Sequence, residues 1–91
     1  MEQKENVVLI GKKPVMNYVI ACLTFFNSGA KQVSIKARGK AICCAIDTVE
    51  LLKRSFIKDL KIQEITIGTE EMVREKGEKT NVSTIHIKIL R

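Results

Sequence analysis

The chain of 91 residues suits one domain with its own hydrophobic core. Lysine and arginine outnumber aspartate and glutamate by 16 to 10, a net charge of +6, and residues 11–61 alone carry +7. No apolar run reaches the roughly 18 residues of a membrane span, and the polar start MEQKEN excludes a signal peptide, so we expect a soluble intracellular protein.

The first half of the chain predicts a strand, a helix and a second strand. Residues 6–10 (NVVLI) are an apolar run typical of a buried strand. From Pro14 onward apolar residues recur at steps of three and four, and Gly29 follows the predicted helix end. This helix also carries a second apolar stripe that needs a neighbour other than the sheet, namely Met16, Ile20 and Leu23. Residues 32–37 alternate as in a half-buried strand.

The second half predicts an amphipathic helix and two strands. The helix begins near Ala41 and ends near Phe56, and the next strand, residues 60–67, changes its alternation between Ile62 and Ile65, as a β-bulge would. The last strand covers residues 82–90. The polar stretch between them, TEEMVREKGEKTN, predicts an exposed hairpin arm whose charges sum to −1.

Together these elements predict an α/β two-layer sandwich in strand–helix–strand–helix–strand–strand order. A four-stranded mixed sheet carries both helices on one face, because βαβ crossovers are right-handed, and an extended hairpin arm joins the last two strands. We expect one domain over residues 1–91, in which residues 1–5 are a flexible N-terminus.

The three cysteines are Cys22, Cys43 and Cys44. They fit neither a disulfide framework nor a C-x-x-C metal pattern, and neighbouring helical residues point about 100° apart, which disfavours a shared metal. We interpret all three as small buried hydrophobic residues in a reducing compartment, and we expect neither a metal nor another cofactor.

Basic residues cluster in the turns that follow the first two strands. In the predicted topology these turns meet at one edge of the sheet and present Lys12, Lys13, Arg38 and Lys40 beside the N–H groups of two helix starts. Such an arrangement suits phosphates of a polyanion, either nucleic acid or an anionic membrane surface. Two unrelated solvated turns are one alternative. A small phosphorylated ligand is another, although GKKP lacks the glycine spacing of a P-loop.

Catalytic signals are weak. The single histidine, His86, lies on a strand between apolar residues, and Asp47 and Glu50 have Lys53 and Arg54 as helix-surface partners. With no nucleophile–base pair, we predict that the chain is not an enzyme; an enzyme acting on a nucleotide or phosphate ester would need a pocket with perturbed acids or a metal.

The chain has no tryptophan and few other aromatic residues, which favours binding of duplex phosphates over stacking on the bases of single strands. Tyr18 lies near the first basic turn, and the sequence leaves two roles open for it: contact with nucleic acid, or packing at the edge of the hydrophobic core.

Five segments, NVVLIGKKPVMNYV, IKARGKAI, VELLKRSF, EITIG and VSTIHIKI, closely resemble the Alba family of archaeal chromatin proteins. The resemblance runs from residue 6 to the last strand. It implies a small dimeric protein that coats and compacts double-stranded DNA with little sequence preference, lies in the cytoplasm on the chromosome, and in many members also binds RNA. The alternative is primarily an RNA-binding protein or RNA chaperone.

The resemblance also implies site residues. In the family the lysines after the first strand and the basic ARGR or ARGK turn touch nucleic acid, and the hairpin reaches along the minor groove. The implied nucleic-acid-binding set is Lys12, Lys13, Asn17, Tyr18, Arg38, Lys40, Arg74, Lys76 and Lys79. Lys12 is the candidate for acetylation. Relatives pair through the second helix and last strands, as homodimers or with a paralogue, and Phe56 is the implied contact between dimers. No small-molecule substrate and no membrane partner are implied.

Overall fold

The computed structural model describes residues 6–91; the N-terminal segment 1–5, for which the sequence predicts flexibility, lies outside this range. The elements are β1 (Val7–Leu9), α1 (Val15–Asn27), β2 (Gln32–Arg38), α2 (Ile42–Leu51), β3 (Lys61–Val73) and β4 (Lys79–Leu90). A 3-10 turn, Gly39–Ala41, precedes α2, and a π-helical turn, Leu52–Phe56, follows it. The predicted order of strands and helices is confirmed.

The four strands form one mixed sheet in the order β1-β2-β4-β3. β1 is parallel to β2, and β4 lies antiparallel between β2 and β3. The last β2–β4 pair joins Arg38 to Thr84, whereas β3 and β4 remain paired as far as Val73 and Lys79. Residues 69–83 therefore extend beyond the sheet as the predicted arm, and the predicted bulge is seen as a register shift between Ile62 and Glu64.

The core lies between the two helices and one face of the sheet. Alternate residues of β2 and β4 fill it from below, because successive side chains of a strand point to opposite faces. The helices and the turn after α2 close it from above. The fully buried hydrophobic side chains are Val19, Cys22, Val33, Ile35, Ala45, Leu52 and Ile89.

The cysteines differ in exposure. Cys22 is buried, and burial raises the pKa of its thiol to about 12, so the thiol stays neutral at neutral pH. Cys44 is half-buried. Cys43 is exposed, so the expectation that all three cysteines are buried was wrong for this residue. Cys44 and Ala45 face the sheet, and each residue of an α-helix is rotated by about 100° from the one before it. The Cys43 side chain therefore points away from the sheet.

Apolar side chains also remain outside this core. On α1, Met16 and Ile20 of the second stripe are exposed, whereas Leu23, its third member, is half-buried against the core. On β3, Ile65 and Ile67 pair with Ile87 and Ile85 and so share the helix-bearing face, but they are 54% and 78% exposed. The edge strand thus lies beyond the cover that the two helices give to the inner strands.

Candidate nucleic-acid interface

Two basic turns leave the sheet side by side. β1 and β2 are parallel neighbours, and the Ile10 N–H donates to the Lys36 carbonyl oxygen over 2.9 Å just before β1 leads into its turn. The turn after β1 and the turn after β2 therefore begin at the same edge. All four basic side chains of these turns are exposed: Lys12, Lys13, Arg38 and Lys40.

The first turn is fixed from below by Tyr18. Its hydroxyl oxygen accepts hydrogen bonds from the Gly11 N–H at 2.8 Å and the Lys13 N–H at 3.0 Å. Tyr18 is only 8% exposed. Of the two roles open from the sequence, the geometry favours the core edge: the ring packs inward and its polar tip holds the backbone that carries the two lysines.

Both helix starts retain the positive end of the helix dipole. Within residues 6–91, no side chain caps the start of α1, the 3-10 turn or α2, and the first turn of α1 holds no acidic residue. Asn17, exposed in the first turn of α1, donates its backbone N–H to the Pro14 carbonyl oxygen over 3.0 Å. Gly39, with φ of +59°, makes the left-handed bend that sets Arg38 and Lys40 on either side of the second turn. An anion at this edge would complement both dipoles and the lysines.

The arm rises from the same edge, because β3 runs parallel to β2 and continues beyond it. Its tip is closed by hydrogen bonds from the Arg74 N–H to the Glu78 carbonyl oxygen (2.9 Å) and from the Gly77 N–H to the Arg74 carbonyl oxygen (2.8 Å). Gly77 has a φ of +79°, which a side chain would strain. Arg74 and Lys76 are exposed near the tip, whereas the Lys79 ammonium lies 3.6 Å from the Glu71 carboxylate.

One contact at the base of the arm has no signal in the sequence. The Arg38 guanidinium (Nη1) donates to the Glu70 carboxylate (Oε2) over 3.2 Å. These residues are 32 positions apart and become neighbours only through the strand order β2-β4-β3, which linear spacing does not reveal.

The open face of the sheet carries a shallow cavity of about 500 Å³, lined in part by Lys36, Arg38, Glu70, Thr84 and His86. Within residues 6–91 no three His, Cys, Asp or Glu side chains gather as a metal site. The helices described are too short or too polar to cross a membrane.

A family profile and a curated relative both match this chain over most of its length. The Alba family profile matches residues 6–69. The DNA/RNA-binding protein Alba of Methanocella arvoryzae is 54% identical over 88 residues, which cover 97% of this chain and 92% of that protein.

Solved structures agree with this result. Alba from Thermoplasma volcanium matches with a TM-score of 0.89 and 46% identity, over 94% of this chain and 100% of that chain. ALBA1 from Trypanosoma brucei shares the fold, with a TM-score of 0.77 and 24% identity over 99% of this chain and 72% of that chain. Because the profile spans most of the sequence and a near full-length relative shares over half of its residues, this chain belongs to the Alba family of nucleic-acid-binding proteins, which are not enzymes.

Proposed function

We propose that the protein coats and compacts double-stranded DNA as a dimer, with little sequence preference, on the chromosome in the cytoplasm. The observation that carries the proposal is one edge of the sheet with four exposed cations beside two uncapped helix starts and the root of the arm. Phosphates satisfy these groups whatever the base sequence. The chain's single tyrosine is buried beneath the first turn, so base stacking is not offered there.

The dimer is supported by the exposed apolar side chains of β3. Ile65 and Ile67 lie on the helix-bearing face of an edge strand, and Ile46 of α2 is also exposed. Pairing with a second copy or with a paralogue would cover these side chains and double the number of cations on one duplex. We assign contacts of the arm with the minor groove to Arg74, Lys76 and Lys79. The residues that we assign to contacts of the domain body are Lys12, Lys13, Asn17, Arg38 and Lys40. Tyr18 supports the turn of residues 11–13, called the lysine turn below.

The test is the salt dependence of duplex binding. The four cations of the two basic turns give a dimer about eight phosphate contacts, so these turns should contribute up to about −7 to the slope of log affinity against log salt. The double substitution Lys12→Ala with Lys13→Ala should make the slope shallower by up to about 3.6 and weaken binding equally for all duplex sequences. Folding stability should not fall, because two cations leave a helix start that disfavours them.

The matched control removes the same charge from the opposite edge. Lys31 directly precedes β2 and Lys61 begins β3, so Lys31→Ala with Lys61→Ala should leave the slope near that of the wild type. An equal change of slope in both double variants would mean that overall charge, not the lysine turn, controls binding.

Acetylation of Lys12, which we propose as the modification site, would remove one of the four charges per protomer.

An RNA target is the second candidate, favoured by the name of the Methanocella arvoryzae relative, which covers both DNA and RNA. Competition between a duplex DNA and a structured RNA at one fixed salt concentration separates the two. We expect duplex DNA to compete at least as well as RNA. A preference for RNA of more than about tenfold, or about 1.4 kcal/mol, would make the protein primarily an RNA-binding protein or RNA chaperone.

A further inference from the structure

The Arg38–Glu70 ion pair lies where a duplex would pass from the basic turns to the arm. Arg38 ends β2 and Glu70 lies on β3, so the pair spans the intervening strand β4, a distance of about 10 Å between strand axes. Gly68, opposite Thr84 in the same cross-strand row as Arg38, has no side chain to block this path. Arg38, Gly68, Glu70 and Thr84 all line the open-face cavity.

We propose that Glu70 is an intramolecular competitor for nucleic acid: its carboxylate occupies the Arg38 guanidinium in the free protein and must be displaced before Arg38 can hold a phosphate. This inference rests on the proposed function, since it assigns a role to Arg38 in the same interface. Glu70 thereby weakens binding to every sequence alike and keeps the coating reversible.

The exposure of the pair allows such an exchange. The side chains of Arg38 and Glu70 are 61% and 55% exposed, so water and salt weaken their attraction. A phosphate offers the guanidinium two oxygens at once and carries its own charge, which makes it the stronger partner. Once displaced, the Glu70 carboxylate faces the phosphates at the root of the arm, and this repulsion adds to the cost of binding.

The chain contains a matched control for Glu70. Glu64 lies on the same strand and the same face, is 56% exposed, and pairs with Lys88 at 3.5 Å, but it lies six residue positions before Glu70 along β3, away from the basic edge. Glu64→Gln and Glu70→Gln therefore make the same change of charge and each break one exposed ion pair. Only Glu70→Gln frees a cation of the proposed interface.

The experiment measures the dissociation constant of a mixed-sequence DNA duplex at one low salt concentration. The proteins are wild type, Glu64→Gln, Glu70→Gln, Arg38→Gln and the double variant Arg38→Gln with Glu70→Gln. We expect Glu70→Gln to bind more tightly than Glu64→Gln by about two- to fivefold per protomer, the range set by exposed ion pairs. In the Arg38→Gln background this additional gain should disappear. Melting temperatures should stay close to that of the wild type, because an exposed pair contributes little to stability.

Other outcomes separate the competitor role of Glu70 from the proposed function of the protein. If the wild type binds with the expected salt dependence but Glu70→Gln matches Glu64→Gln, the competitor role is wrong and the proposed function stands. If Glu70→Gln still tightens duplex binding in the Arg38→Gln background, the effect comes from overall charge. If Glu70→Gln binds the duplex more weakly than the wild type, Glu70 supports Arg38 instead of competing for it. Either result overturns the inference. A wild type without salt-dependent binding would overturn the proposed function and this inference with it.

Discussion

Tyr18 shows how one buried side chain can serve an exposed site. The lysine turn has no regular secondary structure to hold it, yet two of its backbone N–H groups donate to the same phenolic oxygen at 2.8 and 3.0 Å. The tyrosine is itself held in the core beside Val19 and Cys22. The positions of Lys12 and Lys13 are thus tied to the packing of α1 against the sheet.

Replacing Tyr18 by phenylalanine should therefore affect both stability and binding. Tyr18→Phe keeps the ring but leaves the Gly11 and Lys13 N–H groups without their partner, so the free energy of unfolding should fall by about 1 to 3 kcal/mol. Duplex affinity should also fall, although every cation remains. Urea denaturation and a duplex titration far below the melting temperature measure the two effects separately. Lost stability with unchanged affinity would restrict Tyr18 to a core role.

At the scale of elements, the turn after α2 separates a core residue from a surface residue. Leu52 and Phe56 are four positions apart in the π-helical turn, but Leu52 is fully buried and Phe56 is 46% exposed. Leu52 directly follows α2 and packs into the core, whereas Phe56 is the last residue of the turn, just before the extended backbone of Ile57. Phe56 is thereby available for the contact between dimers that we propose.

Truncation of these two side chains should have opposite consequences. Leu52→Ala leaves a cavity in the core and should cost about 2 to 5 kcal/mol, whereas Phe56→Ala should stay within about 1 kcal/mol of the wild type. Phe56→Ala should instead lose cooperative binding on long duplexes while binding normally to a duplex that holds one dimer. Thermal melting and titrations at two duplex lengths provide the comparison. Equal destabilisation by both substitutions would place Phe56 in the core.

The elements also show what the sequence can and cannot predict. Local periodicity predicts α1, α2, β2 and β4 because one face of each is buried, and the misaligned isoleucines of β3 reveal its bulge. Periodicity did not separate Cys43 from the buried cysteines, since a small apolar residue suits either side of a helix. The bonds of Tyr18 and the Arg38–Glu70 pair depend on distances between elements, which only the assembled sheet determines.

At the scale of the whole molecule, the basic turns and the exposed apolar side chains lie on different parts of the surface. The edge that receives the carboxyl ends of β1, β2 and β3 carries the basic turns and the arm, whereas the exposed apolar side chains of β3 lie along the side. An edge strand thirteen residues long, with every residue exposed, favours further pairing unless another chain covers it. Assembly and nucleic-acid binding can therefore use separate surfaces of one small chain.

This separation predicts a variant that loses the dimer and keeps the basic turns. The wild type should have twice the 10.3 kDa mass of the chain by light scattering at micromolar concentration, and Ile65→Glu should have the mass of one chain, because a charge at a buried contact is costly. Thr66→Glu adds the same charge to the next residue, which faces the open side of the sheet, and should remain dimeric. A monomeric wild type, or equal dissociation of both variants, would contradict the proposed interface. Because a monomer brings only four of the eight cations to a duplex, Ile65→Glu should also bind with about half the salt slope of the wild type, which would link the assembly directly to the strength of DNA coating.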